Sequence, residues 1–241
     1  MATVELRSLS KAYGGRAAWA LAGVTLRVER GEAVALLGAN GAGKTTVMEI
    51  LSTLLRPSSG QAAVMGRDVV REAAAVRAAI GVVRQAAGLP PSARLAKLAA
   101  LHARLRGGST AEAKRRATEM FKLLGLEDAT RLRVRELSGG MRRRLDIGLG
   151  LMGDPPVLLL DEPAAGLDPS SKAQIYAELR RRCESGAAVL FTSQSLEETR
   201  ALANRVAFLE SGRLLDDDVP PSALPALFSH EMVIADPRVP A

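Results

Sequence analysis

The nine residues Gly38-Ala39-Asn40-Gly41-Ala42-Gly43-Lys44-Thr45-Thr46 constrain this chain more than any other stretch. Ala33–Leu37 before them is an apolar run short enough for a buried strand; Val47–Leu51, then Leu54 and Leu55, follow with helical spacing. A glycine-rich turn between a strand and a helix is the setting a phosphate-binding loop needs. Glycines let backbone N–H groups crowd a polyphosphate without Cβ clashes, and the helix N-terminus adds a positive partial charge. Lys44 is then placed to reach the β- and γ-phosphates, and the Thr45 hydroxyl to bind Mg²⁺. An ordinary glycine turn is the alternative, and the flanking strand and helix disfavour it. The stretch predicts a loop that binds a nucleoside triphosphate.

Length and composition agree. A chain of 241 residues, 47% hydrophobic, can bury a sizeable core and is globular rather than disordered. No apolar run approaches the roughly 20 residues a membrane span needs. Met1–Glu5 shows no basic-then-apolar leader pattern, and the single cysteine, Cys183, excludes an internal disulfide and suits a reducing compartment. The net charge of +7 comes mostly from arginine. It is compatible with an anionic membrane face or nucleic acid, but the basic runs lack interleaved aromatics and read as solvated faces. No nucleic-acid partner is expected.

Thr3–Leu9 and Ala20–Val28 alternate roughly as half-buried strands, with a turn at Lys11–Gly15 between them. Tyr13 in that turn is either a base-stacking ring or a packing tyrosine. Gln61–Met65 and Ile80–Val83 read as strands, Glu72–Ala79 as a short helix. Gln85, just past the second strand, is a plain loop residue or, at the carboxyl edge of a parallel sheet, a ligand contact. Ser92–Arg106 and Thr110–Leu124 are helical in period and lie in a helical insertion, 86–153, inserted in a single domain of 1–241. Ser138-Gly139-Gly140 opens another amphipathic helix, as a simple serine cap or a further anion-binding helix terminus.

Val157–Leu160 is a fully buried parallel strand in pattern, and it ends in Asp161-Glu162-Pro163. Two adjacent acids there are costly unless they handle a cation or a water. Asp161 fits the Mg²⁺ side and Glu162 the residue that polarises the attacking water. A helix from Ser170 to Ser185, a strand at Val189–Thr192, a helix at Leu196–Asn204, a strand at Val206–Glu210 and a hairpin through Gly212 follow. The stretch 216–241 is Pro-rich and weakly patterned, and is expected to form a tail.

In order, Tyr13, Gly38–Thr46, Gln85, Leu137–Gly140, Val157–Pro163, Asp168 and Gln194 resemble the motifs of the nucleotide-binding subunit of ABC transporters. The resemblance covers residues 3–215, and Ser-Gly-Gly-Met-Arg-Arg-Arg-Leu with Gly-Leu-Asp-Pro makes it similar to the drug- and polysaccharide-export type. It implies an α/β fold: a P-loop NTPase core with a mixed sheet, antiparallel N-terminal strands plus a parallel core, and a helical insertion subdomain. It implies ATP and Mg²⁺ as cofactors. Tyr13 would stack adenine, and Gly38, Ala39, Asn40, Gly41, Ala42, Gly43, Lys44, Thr45 and Thr46 would hold phosphates. Thr45, Gln85 and Asp161 would surround Mg²⁺, and Glu162 would be the general base. Ser138, Gly139 and Gly140 would clasp the γ-phosphate bound to a second ATP-binding subunit, with Asp168 at the dimer seam. A separate transmembrane permease would be the other partner, placing the chain peripherally on the cytoplasmic face of the cell membrane.

Three departures stand out. Gln194 occupies the place of the family's usual catalytic histidine, Ala96-Lys97 replaces an acidic-amide pair, and Ala164-Ala165 replaces two hydroxyl residues. The expected function is ATP hydrolysis that powers a membrane exporter through ATP-driven dimerisation. The alternatives are a subunit that binds ATP but hydrolyses it weakly, and a soluble ABC ATPase uncoupled from transport.

Overall fold

The computed structural model describes residues 2–14, 19–85, 88–107 and 109–224. Its centre is a six-stranded sheet ordered β10-β9-β3-β8-β7-β6. Strands β3 (Ala33–Leu37), β6 (Ile80–Val83), β7 (Val157–Asp161), β8 (Ala188–Thr192) and β9 (Arg205–Glu210) run parallel, and β10 (Arg213–Val219) pairs antiparallel with β9. All five residues of β3, β7 and β8 are buried, as strands covered on both faces must be. Alternation still sorts them. Val34, Leu36, Val157, Leu159 and Leu190 enter one core, while Ala35, Leu37, Leu158, Leu160 and Phe191 enter the core on the opposite face.

The N-terminal strands form a sheet of their own, antiparallel throughout and ordered β2-β1-β4-β5. These are β1 (Val4–Ala12), β2 (Trp19–Val28), β4 (Ser59–Val64) and β5 (Arg67–Asp68). Leu6 and Leu9 both face its core although they are three residues apart. A register shift between them, with Ser8 at φ 47°, turns the second leucine back inward. That bulge is why the sequence alternates only roughly here. Helix α1 (Lys44–Leu51) packs in the core that both sheets share.

After α2 (Ala73–Ala79) and β6, the helices α3 (Leu95–Leu105), α4 (Thr110–Leu123) and α5 (Gly139–Leu151) build a third core of their own. Helix α5 serves two cores: Leu145 and Leu149 enter the helical one, Ile147 and Leu151 the sheet one. It lies close on β6, where a Cβ on Gly81 would come within 2.2 Å of the Gly150 carbonyl. Helices α6 (Pro169–Glu184) and α7 (Leu196–Leu202) start at Asp168 and Ser195, whose side chains accept from Ser171 and Glu198 N–H groups.

Several boundaries differ from the sequence reading. Lys11 and Ala12 belong to β1, paired with Leu21 and Trp19, rather than to the turn. Helix α1 stops at Leu51; Thr53 takes φ 64°, and Leu54 is exposed instead of extending the apolar face. Helix α3 starts three residues after Ser92. Asp216–Asp218 lie inside β10, so the strand extends into the stretch set aside as a tail; 225–241 lie outside the described residues.

Candidate functional site

The glycine-rich loop joins β3 to α1 at the carboxyl edge of the parallel strands. Gly38, Gly41 and Gly43 take φ values of 153°, 84° and 110°, the region that favours glycine. Space makes the same demand: a Cβ on Gly38 would sit 2.1 Å from the Leu209 carbonyl oxygen, and one on Gly43 2.5 Å from that of Ala20. The Lys44 ammonium curls back into the loop, donating to the Gly38 carbonyl at 2.6 Å and the Ala39 carbonyl at 3.0 Å. Burial pushes its pKa down, and the charges of Glu162 and Asp161 pull it back up.

The acids sit opposite. Asp161 Oδ2 accepts from Thr45 Oγ1 at 3.3 Å, and Oδ1 accepts from Thr192 Oγ1 at 2.6 Å. Thr192 is the direct neighbour of Asp161 across the β7–β8 ladder, and its hydroxyl also accepts from the Glu162 N–H at 3.0 Å. Glu162 itself has φ 48°, left-handed for a residue with a Cβ. That turn aims its carboxylate into the same pocket, where Gln194 Nε2 donates to Oε1 at 2.6 Å and Gln85 Nε2 to Oε2 at 3.4 Å. The Gln194 amide also donates to Asn40 Oδ1 at 3.2 Å, tying the Glu162 carboxylate to the loop.

Tyr13, Asn40, Gly41, Gly43, Lys44, Thr45, Thr46, Gln85, Asp161 and Glu162 therefore line one cavity of about 340 Å³. Tyr13 stands at its rim, 44% exposed, its hydroxyl 3.3 Å from Thr46 Oγ1 and its ring 5.5 Å from the Lys11 ammonium. Ser138, Gly139, Gly140 and Asp168 do not line it. Ser138 caps α5 by accepting from the Met141 N–H at 3.2 Å. Asp168 caps α6, and its hydrogen bonds from Ser171 hold its carboxyl below the usual carboxylate range.

Sequence reasoning assigned no role to Thr192 or to Arg143. A threonine ending the strand beside the acids was a usable signal for the first. The second was visible only as one arginine among three, and its burial depends on how α5 meets β7.

The chain is similar to known proteins. The family model described as "ABC transporter" matches residues 21–165. The chain is 45% identical over 212 residues to the daunorubicin resistance ATP-binding protein DrrA3 of Streptomyces coeruleorubidus, a match that takes in 88% of this chain and 66% of that protein. It is 42% identical to the doxorubicin resistance ATP-binding protein DrrA of Mycobacterium tuberculosis, over 88% of this chain and 64% of that one. The match thus spans about two thirds of the length of these relatives. Among solved structures, an ATP-binding subunit of an ABC transporter superposes with a TM-score of 0.86, at 26% identity over 93% of each chain. A dimeric ATP-binding cassette in a post-hydrolysis state, bound to ADP and Pi, gives 0.83 at 26% identity, covering 90% of this chain and 98% of that one. In its loop, its paired acids and its fold alike, this chain belongs to the ABC transporter family.

Proposed function

We propose that the chain binds and hydrolyses ATP, and that it powers a membrane exporter as one half of an ATP-closed dimer. The observation that carries this reading is the convergence of Lys44, Thr45, Asp161 and Glu162 on one pocket. The donor set suits Mg²⁺: a hydroxyl and a carboxylate oxygen 3.3 Å apart, with Gln85 on the same wall. Among the described residues no cluster of three His, Cys, Asp or Glu could hold a metal alone. MgATP would bring the γ-phosphoryl group and a metal to screen its charge.

The chain's own residues do the rest. Lys44 and the loop amides, Gly38 through Thr46, hold the phosphates. Thr192 fixes one Asp161 oxygen, which leaves the other, with Thr45, for the metal. Glu162 takes the proton of the attacking water, and Gln194 sets the direction of its carboxylate. Tyr13, at the rim, offers a ring face to the base. Ser138-Gly139-Gly140 and Asp168 lie outside the pocket, which supports their acting on nucleotide held by a second subunit.

The relatives' names support drug-type export, and a separate permease at the cytoplasmic face of the membrane follows from that reading. No helix among the described residues is long and apolar enough to cross a membrane. Gln194 favours slow turnover, because an amide carries no charge near neutral pH. Phosphate release from MgATP tests the core of the proposal. Lys44→Ala is expected to lower both ATP affinity and turnover by at least about 10²-fold. Unchanged affinity would contradict it. Affinity purification from membranes should bring an integral membrane protein with the chain, and the absence of one would contradict the exporter assignment.

A further inference from the structure

Arg143 is one of few charged side chains in the interior, 9% exposed. It leaves α5 just over one turn beyond Ser138. Its Nε donates to the Pro163 carbonyl at 3.0 Å, its Nη2 to those of Asp161 and Glu162 at 2.9 and 2.5 Å, and its Nη1 to that of Arg84 at 2.5 Å. The remaining Nη1 direction faces Asp146 Oδ2 at 3.5 Å. A guanidinium has five N–H donors in a rigid fork, and here they fall almost wholly on main chain.

Those carbonyls belong to both acids of the site, to Pro163 after them and to the residue before Gln85. Glu162 most needs such holding. A non-glycine residue in the left-handed region costs roughly 1–3 kcal/mol and persists only where its surroundings fix it. Thr192 holds the Glu162 N–H, and Arg143, with the Ala165 N–H at 3.2 Å, holds its carbonyl.

We propose that Arg143 is a positioning residue: it fixes the main chain that aims Glu162 and Gln85 into the pocket, and ties that aim to the helix carrying Ser138-Gly139-Gly140. The inference rests on the hydrolytic reading above. Any shift of the α5 N-terminus is felt at the base through one rigid side chain. Lysine, a point charge with three donors, cannot span four carbonyls on two segments.

Arg143→Lys and Arg143→Gln test it, each with a thermal melt, a fluorescent ATP analogue for affinity, and steady-state MgATP turnover. The expected result is folded protein with affinity close to wild type, KM little changed and kcat down about 10²-fold, the penalty of a small misplacement at the reacting centre. Arg143→Ala should regain part of kcat with low concentrations of guanidinium but not of ammonium. Turnover within about twofold of wild type, or affinity and kcat lost together, overturns the proposal. So does failure of both the Lys and Gln variants to fold, which would make Arg143 a folding residue. A wild-type chain that neither binds nor hydrolyses MgATP overturns the hydrolytic reading instead, whatever the variants do.

Discussion

Gln194 is the residue at which turnover should be adjustable in both directions. Its amide nitrogen is shared between Glu162 Oε1 at 2.6 Å and Asn40 Oδ1 at 3.2 Å, so it holds the carboxylate and steadies the loop. Ser193 beside it cannot stand in, since its hydroxyl is buried against Glu198 at 2.5 Å. An amide donates but never carries charge, whereas an imidazole does both. Gln194→His is therefore expected to raise kcat with little change in KM. Gln194→Ala should lower it, by up to the roughly 10²–10³ that one positioned donor contributes. Steady-state kinetics on the pair decides it: a flat or reduced rate with histidine removes the slow-motor reading. The glycine turn and the buried strand ending in two acids pointed to Lys44 and Glu162 as candidate site residues, while Gln194 was singled out only by the resemblance to ABC transporter subunits. The sequence did not show the Asn40 and Gln85 contacts to the same amide–carboxylate group, since these come from distant segments meeting at the sheet edge.

At the scale of elements, α5 repays closest attention because it carries a partly buried acid beside Arg143. Burial pushes Asp146 up to about 6, against the pull of Arg143 and Arg84, and its Oδ2 lacks a hydrogen-bond partner among the described residues. A carboxyl whose pKa is raised by folding contributes most stability below its unfolded value. That contribution is lost as pH rises from about 4 to about 6. Asp146→Asn should therefore gain on wild type through that window, by up to about 3 kcal/mol above pH 6. Denaturant melts at intervals across the range read the difference directly; a constant gap, or one that closes, contradicts it. Elements of this kind were legible where packing dictates pattern. Four or five consecutive aliphatics marked β3 and β7, and a shorter apolar run through Phe191 marked β8, because both faces of these strands are covered. The ends were less legible. Nothing local distinguishes Leu51 from Leu54 until Thr53 turns left-handed, β5 is two residues long, and Leu6 with Leu9 reads as noise until the bulge at Ser8 is seen.

At the scale of the molecule, the proposed function makes the pocket of one chain half of a site that a second subunit completes. Lys44, Asp161 and Glu162 share a pocket, while Ser138-Gly139-Gly140 and Asp168 present capped helix termini outside it. The separation of the N-terminal antiparallel strands into their own sheet was not legible, because strand pattern does not say which strands pair. On the proposed function, nucleotide bound at this pocket is clasped by a second subunit and released when Glu162 activates water. Glu162→Gln tests this most directly, since the amide keeps the shape of the carboxylate but cannot take the proton. Light scattering after size exclusion in MgATP should give twice the monomer mass for Glu162→Gln with little phosphate released, and a monomer without nucleotide. A variant that stays monomeric in MgATP and hydrolyses it at the wild-type rate would contradict the account.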